Sequence, residues 1–330
     1  MYFNVKIVGS GKAVGSNMIE SEVLEKELSI QQGWIERATG IKSRHYVDIG
    51  KNETALSLGT KAAKLAIQNS GLNMGEIDCI IGANGSPMQA IPCGASLYQR
   101  ELGLQDSGIT CFDVDTTCYS FPMAFFVAAN MIANKIYKNI LIISSDAPSR
   151  TLDTTDKEVR ALFGDGAAAF VLSASEDESK VHRFLLKTYS RGADYTCVKG
   201  AGTLKPPNDP ETLPKDNVFH MDGWKVFKAA VRYLPNFFNE FFENNPYKKE
   251  DYKYFIPHQT SKKGIDIFEK YGFTTEQIGN HLKTHGNCIA ASIPMLFHDL
   301  IAGGKVQRGD KILLFGTSAG LSIGALSLTY

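Results

Sequence analysis

Cys118, His258 and Asn287 are the residues of this chain whose types, taken together, suit acyl transfer to carbon. Cys118 lies in Phe112-Asp113-Val114-Asp115-Thr116-Thr117-Cys118-Tyr119-Ser120-Phe121-Pro122, between a strand-like and a helix-like run. His258 sits in Pro257-His258-Gln259 and Asn287 follows Gly286, each again at the end of one element and ahead of a helix. A thiol supplies the nucleophile that forms a thioester. An imidazole and an amide supply neutral donors for an enolate or a thioester oxyanion.

The local chemistry sharpens each residue. Pro122 is tolerated in a first helical turn, so a helix from Phe121 to Asn134 starts just after Cys118. Unpaired N–H groups at that helix end favour thiolate over thiol. The helix is apolar nearly all round (Met123, Ala124, Phe125, Phe126, Val127, Ala128, Ala129) and is expected to be buried. Pro257 holds Ile256 extended, so the His258 imidazole emerges at a strand end, where α/β sites usually lie. Each residue also has a plainer reading: a core thiol, a surface histidine, a helix cap. The three at strand-to-helix turns together favour function.

The elements that must position them alternate strand-like and helical stretches, the mark of an α/β protein. The first half has strands at Asp78–Gly82, Gly108–Val114, Asn139–Ser144 and Gly164–Leu172, with helices from Thr54 to Asn69 and Phe121 to Asn134. The second half repeats the order: a helix from Gly223 to Glu243, a strand at Tyr252–Ile256, a helix from Ile289 to Ala302, and strands at Asp310–Gly316 and Gly320–Leu328. The repeat predicts that Cys118 and Asn287 occupy matching points, and that the strand before His258 corresponds to Ile80-Ile81-Gly82. The halves divide at 1–173 and 174–330, packed about a pseudo-two-fold. A stretch with four prolines, 192–222, reads as a surface excursion.

Bulk composition excludes some classes. The 330 residues carry 35 basic and 35 acidic side chains, giving zero formal net charge, so no global field draws the chain to nucleic acid. The longest apolar run, Phe121 to Ala133, is interrupted and falls short of the roughly 20 residues that span a bilayer. Met1 to Val8 reads as a first strand rather than a signal peptide, and a cytoplasmic location is expected. None of the six cysteines forms a Cys-x-x-Cys pair, and His258, His281 and His285 lack cysteine partners at zinc spacing, so no metal is expected.

With these residues in view, the chain resembles the β-ketoacyl-[acyl carrier protein] synthase III family of the thiolase superfamily, nearly end to end. Trp34-Ile35-Glu36-Arg37-Ala38-Thr39-Gly40-Ile41, Phe163-Gly164-Asp165-Gly166-Ala167 and Met221-Asp222-Gly223-Trp224-Lys225-Val226-Phe227-Lys228 are similar to three of its motifs. Pro257-His258-Gln259 and His285-Gly286-Asn287-Cys288-Ile289-Ala290-Ala291-Ser292 are similar to its histidine and asparagine motifs. The resemblance implies a thiolase fold of two α/β halves in a homodimer. It implies that Cys118 takes an acyl group from a CoA or carrier-protein thioester. His258 and Asn287 then promote decarboxylation of a malonyl thioester and stabilise the enolate that attacks it. It implies an oxyanion hole from the N–H of Cys118 and one in Gly316-Thr317-Ser318-Ala319-Gly320, with Gly320 and Ala319 both candidates. No redox cofactor is implied.

Departures bear on the substrate. The family's substrate-contacting arginine falls on Ala38, with Arg37 one place early, while Trp34 keeps a position from which to stack on an adenine. Lys157 stands for a phosphate-contacting arginine, with the charge but not the bidentate fork. Lys262 and Lys263 match a basic carrier-docking position, and Ser261 replaces an asparagine near His258. Ile91 falls where a bulky aromatic often closes the acyl pocket from the partner subunit, which suggests a longer or branched primer and a specialised fatty acid or polyketide pathway. Two rival functions keep part of this chemistry. One is acyl transfer, or condensation without decarboxylation, to an alcohol, an amine or a β-ketoacyl thioester. The other is a non-catalytic carrier-protein partner.

Overall fold

The computed structural model describes residues 2–330. Met1, predicted to open the first strand, lies outside the described residues, and that strand, β1, runs Val5–Val14. It joins β2 (Cys79–Gly82), β3 (Thr110–Asp113), β4 (Asn139–Asp146) and β5 (Gly166–Ala174) in a sheet ordered β1-β5-β4-β2-β3. β2 pairs parallel with β3 and β4, whereas β5 pairs antiparallel with β1 and β4.

The second half builds the same sheet one strand short. β6 (Lys180–Thr188), β7 (Tyr254–Pro257), β8 (Lys311–Ser318) and β9 (Ser322–Thr329) are ordered β7-β8-β9-β6. β7 and β8 are parallel and the other pairs antiparallel. The missing fifth strand survives as one parallel bridge, Phe255 to Ile278. By order, β7 is the counterpart of β2, as the repeat predicts. β6 escapes the pattern because Lys180, Arg183 and Lys187 interrupt its apolar run; as an edge strand it is only half-buried.

β4 and β9 are buried along their whole length, which explains their unbroken apolar character: both faces of each sheet are covered. Four helices do the covering: α1 (Ala55–Ser70), α2 (Ser120–Ala133), α3 (Gly223–Glu243) and α4 (Ser292–Ala302). Ile140 and Ile142 of β4 face a central core with Phe121 and Phe125 of α2, Ile293 and Phe297 of α4, and Ile312 and Leu314 of β8. Leu141 and Ile143 face Ala62 and Ala66 of α1, while Leu313 and Phe315 of β8 face Phe237 and Phe238 of α3. The result is five layers, helix, sheet, helix pair, sheet, helix: the α/β thiolase fold. The excursion at 192–222 is mostly turns, with one two-residue pairing of Thr196–Cys197 and His220–Met221.

Candidate active site

Cys118 occupies a 3₁₀ turn, Thr117–Tyr119, wedged between β3 and α2. The preceding Thr117 has φ 49°, a left-handed conformation unusual for a β-branched residue, and so is strained. Its surroundings hold it there. The Thr117 N–H donates to Asp115 Oδ1 at 2.7 Å, and Ser120 Oγ accepts from Thr116 N–H at 3.0 Å and donates to Thr117 O at 2.7 Å. On the far side the Tyr119 ring lies so close to the second sheet that only glycine fits opposite. A Cβ on Gly324 would stand 2.3 Å from the ring, and one on Gly316 2.7 Å.

The second half contains the same turn. Ile289–Ala291 precedes α4, Ile289 also has φ 49°, and the Cys288 N–H donates to Ser292 Oγ at 2.9 Å. The counterpart of Cys118 is therefore Ala290, which corrects the expectation that Asn287 is its match. Asn287 stands one turn earlier because it belongs to the loop before the 3₁₀ turn. The signal was in the sequence: Ser120-Phe121-Pro122-Met123 and Ser292-Ile293-Pro294-Met295.

Asp146, at the end of β4, ties the second turn to the loop after β2. Its Oδ1 accepts from Gly85 N–H (3.0 Å), Ser86 N–H (2.6 Å) and Ser86 Oγ (2.7 Å), and its Oδ2 accepts from Ala290 N–H (3.0 Å). Burial still pushes its carboxyl up to about 6. Sequence reasoning missed it, although Ser144-Ser145-Asp146 puts a polar end on an otherwise apolar buried strand.

His258 follows β7 and is anchored through its N–H to Phe315 O at 2.8 Å. It is buried, not a surface histidine, and its Nδ1 has no hydrogen-bond partner among the described residues. Desolvation lowers the imidazole to about 4, so the ring is neutral at pH 7. A Cβ on Gly316 would lie 3.5 Å from His258 Cβ as well as against Tyr119, so that glycine joins the histidine to the cysteine turn.

Asn287 needs the unusual backbone before it. Gly286 has φ 68° and ψ −161°, and a Cβ there would meet Leu162 O at 2.9 Å. Asn287 then bridges to the Phe163-Gly164 loop: its N–H donates to Leu162 O (2.9 Å) and its O accepts from Gly164 N–H (3.0 Å). Its Oδ1 accepts from Ile289 N–H at 2.9 Å, so the capping alternative holds for that oxygen. The same bond orients the amide, leaving the NH₂ group as the donor for a ligand. Gly85 closes the circle, since a Cβ on it would meet both Ile289 Cγ2 (2.4 Å) and Thr117 C (3.2 Å).

Burial, with Asp146 adding to it, pushes the Cys118 thiol up to about 12, while the N–H groups of Cys118 and Ala319 pull the other way. The helix end does not outweigh this desolvation, so the sulfur rests as a thiol rather than the expected thiolate. The two candidates for the second oxyanion-hole donor, Ala319 and Gly320, lie in the turn between β8 and β9, where Gly320 has φ 131°.

The remaining candidates ring the outside. Lys157 Nζ lies 5.6 Å from the centre of the Trp34 ring, which brings those two predictions together as a cation–π pair. Arg37 is exposed and turns back onto its own helix start, donating to Gln32 O at 3.3 Å. Ser261 caps the helix Lys262–Asp266 by accepting from Gly264 N–H at 3.3 Å. Lys262 and Lys263 are exposed on that helix, with Lys262 paired to Asp266 and packed beside Gly40. Ile91 is 84% exposed in the loop after β2.

Comparison with known proteins gives a consistent picture. A family model described as 3-oxoacyl-[acyl-carrier-protein] synthase III matches residues 112–190, and the model of its C-terminal part matches 242–330. β-Ketoacyl-[acyl-carrier-protein] synthase III of Campylobacter concisus is 36% identical over 308 residues, covering 93% of this chain and 91% of that protein. The corresponding protein of Aquifex aeolicus is 34% identical over 328 residues, covering 98% and 99%. The crystal structure of 3-oxoacyl-[acyl-carrier-protein] synthase III from Aquifex aeolicus superposes with a TM-score of 0.89 over 99% of this chain and 100% of that one.

Proposed function

The chain belongs to the β-ketoacyl-[acyl-carrier-protein] synthase III family of condensing enzymes, and from that premise we propose that Cys118, His258 and Asn287 carry a two-stage decarboxylating condensation. In the first stage Cys118 Sγ attacks the carbonyl carbon of an acyl thioester. The thiol proton passes to His258, the bond to the donor's sulfur breaks, and the departing thiolate takes the proton back. A base is needed because the resting sulfur is protonated, and a neutral imidazole is the group present to supply it.

In the second stage a malonyl thioester loses CO₂. The electron pair of the breaking C–C bond moves toward the thioester oxygen, where His258 N–H and the Asn287 NH₂ group receive it as an enolate. The enolate carbon attacks the Cys118 thioester. The N–H groups of Cys118 and Ala319 hold the resulting oxyanion until the Cys118 thiolate leaves, the β-ketoacyl thioester is released, and the thiolate takes up a proton from water to regenerate the resting thiol. With Nδ1 unpartnered, no hydrogen bond fixes the His258 tautomer, so the ring serves as base in the first stage and donor in the second.

The observation that carries this reading is the junction at Gly316, where an added Cβ would stand 2.7 Å from Tyr119 of the strained cysteine turn and 3.5 Å from Cβ of the buried His258. The proposed donors are CoA or acyl-carrier-protein thioesters, with Trp34 and Lys157 receiving an adenine and a phosphate and Lys262 and Lys263 an acidic carrier. Arg37 adds charge at that mouth. The chemistry runs on thioesters and calls for no redox cofactor. The halves 1–173 and 174–330 act as one catalytic unit, because the site draws on both. A homodimer fits the exposed Ile91, which finds cover on a partner subunit. Among the described residues no helix is long and apolar enough to cross a membrane, in keeping with cytoplasmic work.

Intact-mass spectrometry with acyl-CoA and acyl-carrier donors of graded length tests the first stage. A donor-specific gain in mass that Cys118→Ala abolishes is expected. No adduct with any donor removes the reading.

A further inference from the structure

Away from Cys118 and His258, on the other side of Gly286, lies a polar cluster the condensation does not use. His281, His285 and Asp299 bring one ligand atom each to within 4.8 Å of one another. His281 precedes the short helix Leu282–His285 and His285 ends it, an i and i+4 pair whose rings stack with centroids 4.5 Å apart. Asp299 comes from α4, with Oδ2 3.4 Å from His281 Nδ1. A cation already sits among them. Lys12 of β1 places Nζ 2.5 Å from Asp299 Oδ1 and 3.4 Å from His285 Nε2.

Two features make this more than an ion pair. The His281 side chain is buried, and its Nε2 has no partner among the described residues. Lys12 and Asp299 keep some exposure, at 22% and 31% of their side chains, so the ammonium has a way out to solvent and an ion a way in. Imidazole nitrogen with one carboxylate is a donor set for borderline first-row dications, with water completing the shell.

We propose that His281, His285 and Asp299 form a binding site for a divalent transition-metal ion such as Zn²⁺ or Co²⁺, in which the Lys12 ammonium is the resident counter-ion that the metal displaces. The Lys12 side chain swings out as the metal enters, and no bond is made or broken apart from coordination. The site ties β1 and α4 to the segment that leads into Gly286-Asn287, so occupancy stiffens that segment.

Co²⁺ titration of tag-free protein tests this by visible absorption, in a Cys118→Ala background that removes the site thiol. Saturable binding with imidazole-type absorption bands is expected in that background. Lys12→Met is expected to tighten it about ten-fold or more by removing the competing charge, and His281→Ala or Asp299→Asn to weaken it about ten-fold or more. Thermal melts with and without Zn²⁺ separate lost binding from lost fold: each folded variant melts cooperatively, and Zn²⁺ raises the midpoint only where the site is intact. Absence of Co²⁺ binding with Lys12 present overturns the proposal whatever Lys12→Met does. Binding indifferent to His281→Ala and Asp299→Asn overturns it equally.

Discussion

Thr117 and Ile289 hold the same left-handed backbone, φ 49° each, at equivalent places in the two halves. Each stands three residues before the serine that starts a buried helix and closes the turn. One copy presents Cys118; the other presents Ala290, whose N–H is held by Asp146. One half thus carries the proposed nucleophile on a device that the other half uses for support.

Asp146→Asn tests that support. An amide cannot accept from four donors, so its NH₂ must face at least one of them in a buried site. The expected loss of stability is about 2 kcal/mol or more, read by chemical denaturation. Removing the charge also lowers the Cys118 thiol, so alkylation of Cys118 by iodoacetamide in the folded variant is expected to speed up at pH 8.

Tyr119 and Gly324 are expected to couple. Gly324→Ala forces a methyl group into the Tyr119 ring and costs about 1–3 kcal/mol. Tyr119→Leu opens a gap on its own, but combined with Gly324→Ala the two costs fall short of their sum. Additive costs in a double-mutant cycle contradict the packing described.

The pH dependence follows from His258. Its folded value, about 4, lies below the ordinary 6.5, so the unfolded chain binds more protons between those values. This histidine's preference is satisfied above pH 6.5, and its contribution falls on the order of 3 kcal/mol as pH drops from 6.5 to 4. His258→Gln should flatten the fall of melting midpoint over that window. Acylation of Cys118 should also persist below pH 6, since the neutral base survives to about 4; a loss centred near 6.5 contradicts the buried environment.

Primer length is set, on this account, at Ile91. Octanoyl donors are expected to acylate Cys118 at least as fast as acetyl donors, and Ile91→Phe to shift preference toward acetyl by about ten-fold. A clear preference of the unaltered protein for acetyl contradicts the role given to Ile91.

Much of this was legible in the chain. The strand and helix order reads off the buried runs because strands covered on both faces stay apolar along their length, as Asn139–Asp146 does. Cys118, His258 and Asn287 are readable because their turns carry Pro122, Pro257 and Gly286. Three things were not. β6 hides because an edge strand tolerates Lys180, Arg183 and Lys187. The true partner of Cys118 was masked by the prominence of Asn287, though Ser-x-Pro-Met marks it. The protonation of Cys118 depends on how burial compares with the helix end, a balance that only three-dimensional surroundings settle.

The central claim is that cysteine acylation and malonyl decarboxylation are separate stages, with Asn287 serving only the second and His258 serving both. Single-turnover CO₂ release from a malonyl thioester added to protein already acylated on Cys118 tests it most directly. Asn287→Ala should accept the acyl group at the unaltered rate but release CO₂ about 100-fold or more slowly, whereas His258→Ala, loaded by prolonged incubation, should be slow in both stages. Release at the unaltered rate in both variants contradicts the account.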